Sequence, residues 1–189
     1  EEMRRPLLTI SILQDIKCVS SKMMTHICTK AISLHIIAAS EVVFSVGDQG
    51  SHWRIVDTGI LHYTYTSETE GIWENLVGRL SLASAMLAVA KFRPEGSLET
   101  DSKLGGSFTK VLTRRSVVSE MVLWTPWIHK GELCAGNDCA VLQLSAESLH
   151  SIVKDRIDTC MLVVRYAQIY VKQLTLSSSV TDFFQCDNA

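Results

Sequence analysis

Val118-Ser119-Glu120-Met121-Val122-Leu123-Trp124-Thr125-Pro126-Trp127-Ile128-His129-Lys130-Gly131 is the stretch on which the fold turns. Strand texture lies on both sides of it, so Glu120 to His129 is expected to form a short helical loop inside a strand-built roll. Downstream, Leu133-Cys134-Ala135 and Val141-Leu142-Gln143-Leu144 flank a Gly136-Asn137-Asp138 turn and read as a hairpin. Upstream, Ile36-Ile37, Val42-Val43-Phe44, Trp53 to Val56 and Ile60 to Tyr65 are β-rich runs. They are punctuated by Gly47-Asp48-Gln49-Gly50 and Thr58-Gly59, the pattern of short antiparallel strands joined by glycine turns.

Helical periodicity appears at the two ends. Ile12, Ile16, Val19, Met23, Ile27 and Ala31 recur at three- and four-residue steps. They predict a helix or a broken helix pair, with Pro6 and Val19-Ser20-Ser21 marking the ends. Ser145 is placed to cap a helix, with Ser148 where a capping box prefers Glu. Ile157, Met161, Val164, Gln168 and Val171 follow a seven-residue pattern in the last helix, whose Ile157/Met161/Val164 face is expected to pack on the roll. Between the strand groups, Trp73, Leu76, Val77, Leu80 and Leu87 suit a helical face, followed by a Gly/Ser/Thr-rich stretch.

The predicted fold class is α+β, an antiparallel β-roll (a jelly-roll-like double-stranded barrel) flanked by N-terminal and C-terminal helices. Its parts are N-terminal linker helices over 1–33 and a roll over 34–144 with an insertion at 67–115. C-terminal lid helices over 145–176 and a tail over 177–189 complete it.

Composition narrows the function without naming one. The 189 residues suit one ordinary domain, and 47% hydrophobic against 20% charged residues supports a real core. Eighteen basic residues against 20 acidic ones give a net charge of −2, which argues against a nucleic-acid partner bound through a broad phosphate field. The six cysteines, at 18, 28, 134, 139, 160 and 186, are scattered, and no Asn-x-Ser/Thr sequon occurs; a reduced, cytoplasmic setting is expected. The most apolar run, Leu80 to Ala90, falls short of the roughly 20 residues that a spanning helix needs.

The stretch from Val118, taken with Gly47-Asp48 and Thr58-Gly59, resembles the cyclic nucleotide-binding domains. Their phosphate cassette runs Phe-Gly-Glu-(apolar)3, a short helix, then Arg and a strand. Glu120 falls on the ribose-binding Glu, and His129 falls on the cassette Arg. The resemblance implies a ligand set of Glu120, Met121, Val122, His129 and Lys130, and cAMP or cGMP as the possible ligand. It implies no cofactor beyond that. Such a site needs amide N–H groups at a short helix N-terminus together with a cation for the phosphate. His129 in place of Arg removes a permanent charge-assisted pair, worth roughly 1.5–3 kcal/mol, and Ser119 stands where the cassette has glycine. Trp124 and Trp127 are expected to fill the hollow where a purine would stack, or else to stack on the base.

The Trp-Thr-Pro-Trp block, Leu123 to Gly131, resembles the divergent domains that follow the pore of voltage-gated cation channels, and the opening Glu2-Met3-Arg4-Arg5-Pro6-Leu7-Leu8 resembles the end of the linker that joins pore to domain. That implies the cytoplasmic regulatory part of a potassium-type channel, attached to a membrane protein. Its partners would be the pore or other domains of a longer polypeptide, with a homo-oligomer possible. The alternatives are a ligand-independent scaffold whose pocket is self-filled, or a regulatory subunit of a nucleotide-dependent kinase. No catalytic motif is present, so no enzyme is expected. His129, Cys134 and Cys139 lie at spacings that invite zinc, yet cross-strand neighbours account better for the cysteines, and no metal is expected.

Overall fold

The computed structural model describes residues 11–66, 107–177 and 181–183. The expected linker residues 1–10, the helical face from Trp73 to Leu87 and Cys186 lie outside them. Among the described residues two helices come first, α1 (Ser11–Val19) and α2 (Ser21–Lys30). Ser20 separates them: its backbone is extended, at φ −154° and ψ 100°, and its hydroxyl accepts from the Met23 amide at 3.2 Å. A side-chain oxygen there satisfies a donor that the first turn of α2 leaves open.

Among the described residues eight strands follow: β1 (Ile32–Ile37), β2 (Val42–Phe44), β3 (His52–Thr58), β4 (Leu61–Thr66), β5 (Ser107–Leu112), β6 (Val117–Val118), β7 (Glu132–Ala135) and β8 (Cys139–Ser145). They form two antiparallel four-stranded sheets, ordered β1-β8-β3-β6 and β2-β7-β4-β5. A single-turn 3-10 helix, Glu120–Leu123, sits between β6 and β7. The chain continues into α3 (Ala146–Val153) and α4 (Ile157–Leu176). The Ser145 hydroxyl caps α3 by accepting from the Ser148 amide at 3.2 Å.

Gly59 turns β3 into β4 with φ +88°, and a Cβ there would stand 2.6 Å from the Asp138 carbonyl oxygen, so glycine is required twice over.

The alternation of β3 divides the core in two. Trp53 and Ile55 face the helices, with Ile12, Leu13, Ile16, Met24, Ile27 and Tyr170. Val56 faces the other way, into the roll, with Ile37, Phe44, Leu61, Tyr63, Leu133 and Val141. The β3 centre, Trp53 to Val56, is therefore buried on both faces, the charged Arg54 included.

Two expectations are corrected. Residues 107–115, placed in the insertion, include β5, which pairs with β4 from Leu61↔Leu112 to Thr66↔Ser107. The Ile157/Met161/Val164 face of α4 does not pack on the roll: those residues are 74%, 62% and 43% exposed. The buried face is Thr159, Val163, Tyr166, Tyr170 and Leu174. Two helical stripes compete here, and the one carrying two tyrosines buries more surface and brings a hydroxyl to an acceptor inside.

No helix among the described residues is long and apolar enough to cross a membrane.

Candidate anion site in the roll

The cassette stretch is pinned to the β2–β3 connection by main-chain bonds. The Gly47 amide donates to the His129 carbonyl at 2.9 Å, the His129 amide to the Asp48 carbonyl at 2.9 Å, and the Gly50 amide to the Trp127 carbonyl at 2.8 Å. These bonds face the side chains of Trp127 and His129 and the amides that follow toward one point inside the roll. A carboxylate from the C-terminal tail, Asp182, occupies that point and is fully buried.

Five donors meet it. Oδ1 accepts from Trp127 Nε1 and His129 Nδ1, both at 2.7 Å. Oδ2 accepts from the Tyr63 hydroxyl at 2.8 Å, the Lys130 amide at 2.9 Å and the Gly131 amide at 3.2 Å. An ionised carboxylate only accepts, so the network assigns the His129 proton to Nδ1. The tail's main chain is held too, with the Ser119 amide donating to the Asp182 carbonyl at 2.8 Å. Ser119 adopts the left-handed conformation, φ 63° and ψ 38°, a backbone region that glycine enters more readily than serine.

Electrostatics agree with the geometry. Burial alone would raise the Asp182 pKa, but the His129 hydrogen bond and charge, helped by Trp127 and Tyr63, outweigh it and hold the carboxyl below its ordinary value. Burial and then the neighbouring carboxylate push the Tyr63 phenol far above its usual range, so it stays a donor. Gly131 makes the Tyr63 approach possible, because any Cβ there would collide with the Tyr63 ring. Aromatic rings line the rest: Phe44 stacks on His129 at 3.6 Å and 7°, and Phe183 meets Tyr63 edge-on at 4.6 Å. Lys110 of β5 lies over Phe183, its Nζ 4.2 Å from the ring centroid.

The residues expected to share one site divide between two places. His129, Trp127 and the Lys130 backbone surround Asp182, while the Lys130 ammonium lies 5.6 Å over the Trp127 ring. Glu120, Met121 and Val122 are buried in the core under the helices. Glu120 Oε1 accepts from the Tyr166 hydroxyl of α4 at 2.9 Å. Burial raises the Glu120 pKa, partly offset by the Tyr166 hydrogen bond. Trp124 packs beside Tyr166 and Tyr170, at 5.2 and 6.2 Å between ring centroids. The His150 Nε2 of α3 bonds the Leu123 carbonyl at 2.7 Å and closes the end of the turn.

Sequence reasoning missed Asp182 and Tyr63. Tyr63 was legible from its alternation with Leu61, and Asp182 carried one faint sign, an acid directly before two phenylalanines. Among the described residues no cluster of three or more His, Cys, Asp or Glu is placed to hold a metal; Cys139 Sγ instead donates to the Asn137 carbonyl at 3.0 Å.

No family model and no curated protein matches the sequence. Solved structures do match by shape. The cyclic nucleotide-binding-like protein from Brucella abortus aligns with a TM-score of 0.53 at 12% identity, over 82% of this chain and 99% of that one. The C-linker/CNBHD of zELK channels, crystallized in the presence of cAMP, gives 0.54 at 11% identity over 86% and 62%. The sensor domain of the transcriptional regulator DNR from Pseudomonas aeruginosa gives 0.51 at 9% identity over 95% of each. The chain thus has the α+β fold of the cyclic nucleotide-binding domains: helices, a roll of two antiparallel sheets, then helices.

Proposed function

We propose that this chain is a non-catalytic regulatory module whose anion site is held by its own tail, Asp182 serving as a tethered ligand in place of a diffusible one. The observation that carries this is the convergence of five donors on one buried carboxylate. Two main-chain amides, an indole, an imidazole and a phenol are a donor set for an oxyanion, and they are fully used by the tail. A tethered group competes as an intramolecular ligand, at an effective concentration set by its tether, so it suppresses a free ligand of similar chemistry. Self-filling was expected from Trp124 or Trp127; in this reading Trp127 instead helps to bind the filler.

The setting we favour is the cytoplasmic part of a cation channel, where α4 and the tail would transmit pocket occupancy to the pore. The linker-like Glu2-Met3-Arg4-Arg5-Pro6 and the likeness to the zELK domain support it. In that setting cAMP or cGMP would have to displace Asp182, and Glu120, turned to Tyr166, would not meet a ribose without rearranging.

A melting series tests this. Wild-type protein should show no shift with millimolar cAMP or cGMP, since a ligand at 100 times its Kd would add about 2.7 kcal/mol. Equal, large shifts in the wild type and in Asp182→Ala would refute a tail that competes for the site.

A further inference from the structure

Arg54 has no role in the contacts described so far. It lies on β3 between Trp53 and Ile55, which face the helices, so alternation turns it the same way as Val56, into the roll. It is only 8% exposed. Nη1 donates to the His52 carbonyl of its own strand at 3.1 Å, and Nε has no hydrogen-bond partner among the described residues. The guanidinium carbon is 5.4 Å from the centroid of Phe44, the ring that stacks on His129. Burial lowers the Arg54 pKa to about 10, and the Asp182 carboxylate is the charge that pulls it back up.

A buried guanidinium without a counter-charge is strongly unfavourable. We infer that Arg54 is the fixed cation of the anion site, supplied across Phe44 from β3, with His129 standing where the cassette would carry that charge. This rests on Asp182 acting as a tethered ligand. Its consequence is that the site exchanges anions and does not stand empty: once the tail leaves, Arg54 is an uncompensated charge inside the roll until another anion enters. Arg54 acts by charge through Phe44, not by a direct bond to the carboxylate.

The test uses the whole chain with Asp182→Ala, titrated with sodium acetate and with inorganic phosphate at constant ionic strength and read by the urea midpoint. The vacated site should take up acetate. Arg54→Gln in that background should weaken acetate at least threefold, while Arg54→Lys, which keeps the charge, should stay within threefold. Arg54→Met, which keeps the apolar stem, stands in where Arg54→Gln does not fold. A neutral variant that weakens acetate less than threefold, or a lysine variant that loses as much as the neutral one, overturns the inference. If Asp182→Ala takes up neither anion, the tethered-ligand reading fails by itself. A double-mutant cycle between Arg54→Gln and Asp182→Asn then decides Arg54: coupling of threefold or more in the unfolding constant upholds its charge role, and less overturns it.

Discussion

Replacing Asp182 with alanine removes an acceptor from five donors at once, four of them in buried contacts and the Lys130 amide in a partly buried one. Hydrogen bonds to a charged group contribute roughly 1.5–3 kcal/mol each, and a buried donor left unmet costs about 1–3 kcal/mol. The simple sum exceeds what a single site delivers. Burying the carboxylate itself costs several kcal/mol, and that penalty disappears with it. Ordering the tail is also no longer required, at about 1–2 kcal/mol per residue released. Water entering the vacated space would satisfy part of what remains. The net expectation is a loss of about 3–5 kcal/mol, the range for breaking a buried ionic contact from one side. In thermal terms this is a fall of about 6–20 °C at 2–4 °C per kcal/mol. Urea denaturation is the assay, with the midpoint lowered and the slope unchanged. A loss below about 1 kcal/mol would mean that the tail rests on the roll without holding it, and the assignment of Asp182 as ligand would fall.

Acid provides a second check. Asp182 has its folded pKa depressed, so its contribution is fully present above the unfolded carboxyl value of 3.8 and is lost as pH falls through the lower folded value; Asp182→Asn should flatten that limb of the stability curve. Glu120 has the opposite sign: its raised pKa favours folding below the unfolded value of 4.5, an advantage lost as pH rises through the folded value. Glu120→Gln, which keeps an acceptor for Tyr166, should therefore stabilise the protein at pH 7.5 and make little difference at pH 4, by urea midpoints. On α4, Met161→Lys at a 62% exposed position should change stability by no more than about 0.5 kcal/mol. Tyr170→Ala, on the buried face, should lose about 3–5 kcal/mol.

Local signals were legible, and distant ones were not. Ser20 as a helix break, Ser145 as a cap, the Gly59 turn and the β-rich run from Trp53 to Val56 each depend on neighbours in sequence, and each was readable as local chemistry. The α4 face was misjudged because both of its stripes have helical spacing, and the choice between them depends on Glu120, 46 positions away. Asp182 lies 53 positions from His129, in a segment with no periodicity, and the two phenylalanines after it are too weak a local sign to set it apart from a solvated acid. His129 was placed by resemblance alone, and its partner came from a part of the chain outside the motif. Arg54 sits inside a strand pattern that reads as apolar, where a single charge looks like an interruption. Its neighbours Trp53, Ile55 and Val56 hide how far from solvent it lies.

The C-terminal stretch grips the segment Ser119 to His129 at both ends: Tyr166 takes hold of Glu120 near its beginning, and Asp182 takes hold of Ser119, Trp127 and His129. Helix, tail and turn therefore form a closed mechanical loop, with one link made by a neutral hydroxyl and the other by a full charge. Severing the charged link opens the loop at its tail end, while α4 stays seated on the core through Val163, Tyr166, Tyr170 and Leu174.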